Sequence, residues 1–246
     1  MNIDILFLDN ELSNYEEYIE KKQFEEYCET HSFNGELNQI LSVPPSYSKN
    51  KNKMFLVGVG KSESDINLYD VGLLIGAKIE SDAIVNFLNI KSEKSLVIDG
   101  ILYSQYKFND YKSEENSSIN SISFQDEDTS KNELKQRSVF WVRDMINTPA
   151  LDKSPEVFID KVKELVDSSE IKVEVYDKTW LQKNNFGAVL GVGKGSDRPP
   201  YFLVGKYNPK AKYQVSLIGK GVLFDTGGYS LKSPSGMETM KTDMSG

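Results

Sequence analysis

The sequence is poor in the residues that build disulfide-linked or thiolate metal proteins, with one cysteine and one histidine among 246 residues. A single cysteine excludes an intrachain disulfide and any zinc or iron–sulfur site that needs several cysteines. This usage is typical of a reducing, cytoplasmic compartment. His31 lies in a charged segment and the chain has no nucleophile elbow, so we expect a surface histidine and not a Ser-His-Asp triad. Cys28, beside it, lacks a cationic setting and is expected to be inert.

Positive charge is also scarce. The chain has 29 Lys and Arg against 37 Asp and Glu, which gives a formal net charge of -8. An acidic balance argues against a general nucleic-acid binder and against binding to anionic membranes.

Long hydrophobic runs are missing as well. No stretch approaches the roughly 20 apolar residues that a membrane helix needs, so we expect no membrane span. At the N-terminus Asp4 interrupts the apolar run and no basic region precedes it, which argues against a signal peptide. We predict instead a first strand from Ile3 to Leu8, and a cytoplasmic protein.

What the sequence does contain is a mixture that can bury a core, with 39% hydrophobic and 27% charged residues. The length allows one large domain or two modest ones. In the first half, we predict strands at Met54–Val59 and Ser95–Asp99 and helical spacing over Ile66–Asn89. The polar stretch Asn109–Lys131, with a short strand at Ile119–Phe124, is the approach to a domain boundary.

The second half predicts another α/β unit. A helix over Glu133–Ile146 ends before Pro149, because the residue preceding proline disfavours the helical conformation. Ser154 and Pro155 are typical of a helix start, and that helix should run to about Asp167. The remaining predictions are strands at Ile171–Tyr176, Tyr201–Tyr207 and Val215–Ile218, and a short helix at Lys178–Asn184.

The fold class is therefore α/β, in two domains. Residues 1–131 are predicted to form an N-terminal α/β domain. Residues 132–246 are predicted to form a linking helix and the first part of an α/β catalytic domain with a mixed, mostly parallel sheet. The glycine-rich turn Gly191–Ser196 lacks the GxxxxGK[ST] spacing, so we interpret it as a turn and not as a phosphate loop.

The distinctive chemistry lies in the C-terminal segment, Val215 to Gly246. Its charged residues near glycines are Lys220, Asp225, Lys232 and Asp243. One interpretation is two structural ion pairs, Lys220 with Asp225 and Lys232 with Asp243. The other is a divalent-cation site, since carboxylates are hard oxygen ligands and a desolvated lysine can lose its proton and bind a metal. Spacing alone leaves both open.

The same residues resemble the metal-binding signature of the leucyl aminopeptidases, the cytosol aminopeptidase family of two-metal exopeptidases. The order Lys220, Asp225, Lys232, Asp243 matches that signature without a gap. Two upstream segments are also similar: RDMINTPALDKSPE (Arg143–Glu156) and FGAVLGVGKGSDRPPYFLVGKYNP (Phe186–Pro209). The resemblance covers Glu133–Gly246 strongly and the first half weakly, where GILYSQYKFNDYKSE (Gly100–Glu114) is similar.

The resemblance implies a role for each matching residue. Lys220 and Asp243 would be ligands of the tighter-held ion, and Asp225 would bridge both ions. Lys232 would be the catalytic cation that polarises the scissile carbonyl, and Met240 would line the pocket for the first side chain of the substrate. The implied cofactors are two divalent cations, Mn or Zn, together with bicarbonate. The implied partners are peptide substrates and further copies of the chain in a hexamer.

One family feature has no counterpart here. In the family a later NTDAEGR-type motif supplies an Asp and a Glu that complete both metal sites and an Arg that helps to hold bicarbonate. We therefore expect this 246-residue chain to be a truncated form that is inactive alone. An alternative is a non-catalytic peptide-binding or assembly protein derived from the family. Nucleic-acid binding, which some bacterial members have, is disfavoured by the charge of -8.

Overall fold

The computed structural model describes residues 1–61, 67–90, 93–113, 120–167 and 169–244. The chain divides into two compact units, Met1–Phe140 and Trp141–Gly246, called the first and second unit below. This division lies nearer the C-terminus than the domain boundary predicted after residue 131. The predicted domain boundary stays a prediction. The elements of the first unit are β1 (Asn2–Asp9), α1 (Lys21–Thr30), β2 (Ile40–Val43), β3 (Lys53–Gly60), α2 (Leu68–Gly76), β4 (Ala83–Phe87), α3 (Lys94–Ser104), β5 (Ile122–Phe124) and the start of α4 (Ser130–Asn147).

A five-stranded sheet with the order β2-β3-β1-β4-β5 organises the first unit. Strands β3, β1, β4 and β5 are parallel, and β2 pairs antiparallel with β3 at one edge. Helices α2 and α3 lie in the connections between parallel strands, as crossover connections require. The α/β class is thus confirmed, and the mixed, mostly parallel sheet belongs to the first unit.

Both faces of this sheet are covered, which explains why β1 and β3 carry apolar residues on both faces. Alternate residues of β1 enter different clusters, because successive strand side chains point to opposite faces. Ile3 and Ile5 pack in one cluster with residues of α2 and α3, and Leu6 and Leu8 pack in the other with residues of α1. Cys28 of α1 is buried there, and desolvation raises the pKa of its thiol to about 11, which disfavours the reactive thiolate.

Two predictions for the first unit are wrong. The segment Ser95–Asp99 lies in the helix α3, and Ala83–Phe87 is the strand β4 and not part of a long helix. Short apolar runs do not distinguish a buried helix from a buried strand. In the structure Ala83–Phe87 pairs with β1 as a strand, and α3 packs in close contact with α2.

That contact is made by glycines. A Cβ atom on Gly100 of α3 would lie 2.2 Å from the carbonyl oxygen of Tyr69 in α2, and one on Gly72 would lie 2.3 Å from the carbonyl oxygen of Val97. Both distances are too short for a real contact, so the two helices approach this closely only because neither glycine has a side chain.

The second unit contains the rest of α4 and the elements that follow it. Helix α4 ends at Asn147, two residues before Pro149, as predicted. Ser154 caps the next helix by accepting a hydrogen bond from the Val157 amide. These later elements are α5 (Pro155–Val166), β6 (Lys172–Tyr176), α6 (Lys178–Lys183), α7 (Gly187–Gly193), β7 (Phe202–Lys206) and α8 (Pro234–Met237), with β6 and β7 forming an antiparallel pair. No helix within the described ranges is long and apolar enough to cross a bilayer.

The strand predicted at Val215–Ile218 is not formed. Val215, Leu217 and Ile218 are 86%, 94% and 95% exposed, and no strand among the described residues pairs with them. A strand needs a hydrogen-bonded neighbour and a covered face, and this segment has neither here. The prediction of a buried strand at Tyr201–Tyr207 is right in position, but β7 is only partly buried. The turn predicted at Gly191–Ser196 is wrong in its first half, because Gly191 to Gly193 belong to the short helix α7.

A buried lysine holds the last turn of α4. Lys153 is fully buried, and its ammonium donates hydrogen bonds to the carbonyl oxygens of Met145, at 2.5 Å, and Lys241, at 3.1 Å. Desolvation, with a smaller contribution from the positive charge of Lys241, lowers the pKa of Lys153 from 10.5 to about 8. The unfolded chain keeps the ordinary value, so it binds more protons than the folded chain between these two pH values.

Stability should therefore rise with pH in that window. We expect the free energy of unfolding of the unsubstituted chain, relative to that of Lys153→Met, to increase by up to about 3 kcal/mol as the pH rises from 7 towards 10.5. The comparison with Lys153→Met cancels the other groups that titrate there. Urea denaturation of both proteins at several pH values measures it, and a pH-independent difference would contradict the buried, charged state of Lys153.

Candidate metal centre

A glycine turn brings the C-terminal charged residues back towards each other. Gly227 has φ +88, in the left-handed region, and a Cβ atom there would lie 2.2 Å from the Ser230 carbonyl oxygen. Only glycine fits this position without strain. The turn is closed by a hydrogen bond of 3.0 Å from the Lys232 amide to the Thr226 carbonyl oxygen. As a result Lys232 returns to the side of Asp225.

Asp225 is the centre of the first group of contacts. Its carboxylate accepts a hydrogen bond of 2.9 Å from the Lys232 ammonium and one of 2.9 Å from the Gly227 amide. The hydrogen bond from Lys232 is the largest cause that lowers the pKa of Asp225, followed by the Gly227 amide. Asp225 is therefore held as a carboxylate anion, the state in which it can bind a cation.

Met240 completes this group. The Lys232 ammonium lies 2.8 Å from the Met240 sulfur. Met240 reaches this position because Ser233 caps the short helix α8 through the Gly236 amide and the chain then turns back. Three of the residues implied by the sequence thus meet at one place: Asp225, Lys232 and Met240.

The second group is looser. The Lys220 ammonium lies 4.0 Å from the Asp243 carboxylate, and the two side chains are 66% and 92% exposed. An exposed pair at this distance contributes little to stability. Lys220 also lies close enough to Asp225 for its charge to lower the pKa of that carboxyl. The two groups are therefore neighbours.

These pairings differ from the structural ion pairs considered from the sequence. Lys232 pairs with Asp225, and Lys220 lies near Asp243, which is the reverse of the simple arrangement by sequence order. Thr226, whose carbonyl fixes the return of Lys232, has no sequence signal of its own beyond its place before the two glycines.

Two carboxylates and two lysines are the groups gathered here. Asp225 and Asp243 offer carboxylate oxygens, and the Lys232 and Lys220 side chains lie beside them. Lys220 could offer a nitrogen to a metal only after losing its proton. No three His, Cys, Asp or Glu side chains converge on one point among the residues that the structure describes. Two divalent cations require more anionic donors than two carboxylates provide. These residues could therefore supply some of the ligands of a two-cation centre, but not all of them.

Comparison with known proteins places this segment in a family context. Residues 140–246 match the cytosol aminopeptidase family, catalytic domain. A probable cytosol aminopeptidase of Wolbachia pipientis wMel is 32% identical, with 98% of this chain and 51% of the relative covered. One of Clostridium perfringens is 27% identical, with 87% and 49% covered. The chain thus spans about half the length of these curated relatives.

Solved structures agree with the fold. The cytosol aminopeptidase of Coxiella burnetii has a TM-score of 0.76 and 25% identity, with 99% of this chain and 52% of that chain covered. The bottromycin maturation enzyme BotP in complex with Mn has a TM-score of 0.78 and 20% identity, with the same coverage. At that identity the second match shows the fold alone.

Proposed function

Because the chain belongs, through residues 140–246, to the cytosol aminopeptidase family, we propose that it carries part of the two-cation centre of an exopeptidase that releases N-terminal amino acids from peptides. The observation that carries the proposal is the meeting of Asp225, Lys232 and Met240 beside Lys220 and Asp243, on a turn that requires glycine. Structural ion pairs alone would not require such a turn.

The cation ligands in this proposal are Lys220, Asp225 and Asp243. Lys220 and Asp243 would hold the tighter-held ion, and Asp225 would be shared by two ions, which would be Mn or Zn. The lowered pKa of Asp225 supports its part, since a bridging carboxylate must be ionised. When bound, such a pair of cations supplies an activated water and orients the free α-amine of the peptide.

Lys232 is the catalytic residue of the proposal. Its ammonium, fixed beside the bridging carboxylate, polarises the scissile carbonyl and stabilises the negative charge that develops on its oxygen. Met240, in contact with that ammonium, lines the pocket for the first side chain of the substrate. A preference for an apolar first residue such as leucine follows from a thioether lining.

The location, the substrates and the assembly state are proposed for the whole protein. The family name supports a cytoplasmic location and peptide substrates, and assembly into a homo-oligomer, a hexamer, is proposed from the resemblance. Bicarbonate would act as the base, but none of the five residues above binds it. The described residues provide too few donors for two cations. We therefore propose that the 246-residue chain alone binds a peptide but does not hydrolyse it.

Binding of a leucyl peptide tests this function. We expect a peptide with a free N-terminal leucine to bind the chain only in the presence of Mn²⁺, since the ion must meet the α-amine. The matched control is the same peptide with an acetylated N-terminus, which should not bind. Calorimetric titration of both peptides with and without Mn²⁺ measures this. Equal binding of the two peptides, or binding that ignores the metal, would contradict the proposal, and metal-dependent release of leucine would contradict the predicted inactivity.

A further inference from the structure

The carbonyl oxygens at the end of α4 have side-chain partners from two other places in the second unit. The last four carbonyls of a helix have no partner within the helix. In α4 the carbonyl of Met145 accepts a hydrogen bond from the Lys153 ammonium, and the carbonyl of Asn147 accepts one of 2.6 Å from the Lys241 ammonium. Lys153 and Lys241, called the lysine pair below, therefore both act on the same helix end.

The lysine pair is also linked within itself. Besides the Met145 carbonyl, the Lys153 ammonium binds the carbonyl of Lys241 at 3.1 Å. Lys241 is thus fixed twice, by its own ammonium on Asn147 and by its carbonyl on Lys153. Because Lys241 directly follows Met240 and lies two residues before Asp243, these bonds hold the stretch that carries both proposed site residues.

Electrostatics favours this arrangement. The C-terminal end of a helix carries partial negative charge, which stabilises nearby cations. Charged donors also form stronger hydrogen bonds to carbonyls than neutral donors do. A lysine without such partners would not stay fully buried, as Lys153 is. The lowered pKa of Lys153 shows that the contacts with the two carbonyls offset only part of the cost of that burial.

We infer that Lys153 is a positioning residue for the candidate metal centre: its buried ammonium ties the backbone at Lys241 to the end of α4 and so sets the place of Asp243 and Met240. Lys153 does not touch the proposed cation or substrate and acts through Lys241. The inference rests on the proposed function in one respect, namely that Asp243 and Met240 belong to a metal centre. The tie, which is the hydrogen bond from Lys153 to the Lys241 carbonyl, is present in this chain whatever that function is.

Hydrogen exchange followed by mass spectrometry tests the tie in the full chain without metal. In Lys153→Met, which keeps a similar volume and removes the ammonium, we expect the amides of residues 239–244 to exchange about tenfold faster, as the loss of one charge-assisted hydrogen bond implies. The amides of α5 should exchange as before. The matched control is Lys161→Met, which removes an exposed lysine of α5 that pairs with Glu164.

The second readout is Mn²⁺ affinity, which a merely structural lysine would leave unchanged while the fold is intact. We expect about tenfold weaker binding in Lys153→Met and no change in Lys161→Met. Unchanged exchange at 239–244, or an equal increase there and in α5, would overturn the inference. An unsubstituted chain that binds no Mn²⁺ would contradict the proposed function, while the exchange data would still decide the tie.

A fallback variant keeps the test decisive if Lys153→Met does not fold, as circular dichroism would show. Lys153→Gln is the fallback: it keeps a polar side chain at this buried position but removes the ammonium that binds the Lys241 carbonyl. Faster exchange confined to residues 239–244 in this variant supports the tie. Unchanged exchange there contradicts it.

Discussion

Asp225→Ala is expected to weaken Mn²⁺ binding by the chain more than about a hundredfold, because loss of a residue that only supports a ligand already costs about 10- to 100-fold. Asp225 is held as an anion beside Lys220 and is the one carboxylate placed between the two groups of contacts. Its removal leaves Asp243 as the single carboxylate of the candidate centre. Competition with a coloured chelator measures the affinity.

Two controls separate a ligand from general charge. Asp197→Ala removes the same charge from an exposed position of the second unit and should leave the affinity unchanged. Lys232→Met removes the ammonium that occupies the Asp225 carboxylate, so Mn²⁺ binding should be retained or strengthened. If Asp197→Ala weakened binding as much as Asp225→Ala, the ion would be attracted by net charge and not bound by the candidate centre.

Gly100→Ala is expected to lower the free energy of unfolding of the first unit by about 3 kcal/mol or more, since the added Cβ atom overpacks a close helix contact. That atom would meet the Tyr69 carbonyl oxygen at 2.2 Å and the Leu73 amide nitrogen at 2.7 Å, and neither backbone atom can rotate away. A loss of stability is the opposite of the usual effect, because alanine in place of glycine normally stabilises a helix by about 1 kcal/mol.

The control for this prediction lies in α7. A Cβ atom on Gly191 would have no neighbour within 4 Å, so Gly191→Ala should be neutral or stabilising by about 1 kcal/mol at most. Urea denaturation of both variants, with hydrogen exchange of α3 to assign the transition to the first unit, measures the difference. A stabilised Gly100→Ala chain would show that α2 and α3 do not pack at this distance.

The strands and helices with strong local signals were predictable from the sequence. The apolar residues Ile5–Leu8 of β1 and Met54–Val57 of β3 indicate strands covered on both faces, and the Ser154-Pro155 start of α5 follows from capping chemistry. The helix α3 was not predictable, because a short apolar run such as Ser95–Asp99 does not distinguish a buried helix from a buried strand. Its close packing against α2 at Gly100 is seen only in the fold. Val215–Ile218 has the composition of a strand, but the described residues offer it no partner.

The residues of the candidate centre could be named from the sequence, but their geometry could not. Spacing alone left structural ion pairs and a cation site open, and the resemblance to the leucyl aminopeptidase signature singled out Lys220, Asp225, Lys232 and Asp243. The pairing of Lys232 with Asp225 depends on the left-handed turn at Gly227, which the sequence does not show. Lys153 carries no signal in the sequence. A lysine before a helix cap is ordinarily exposed, and only the fold places two carbonyls around its ammonium.

Lys220, Asp225 and Asp243 are proposed to form part of a divalent-cation site. An electron paramagnetic resonance titration of the unsubstituted chain with Mn²⁺ tests this proposal most directly, since bound Mn²⁺ loses the sharp signal of the free ion. We expect saturable Mn²⁺ binding that Zn²⁺ displaces and that Asp225→Ala removes. A free-ion signal that grows in proportion to added Mn²⁺ from the first addition would contradict it.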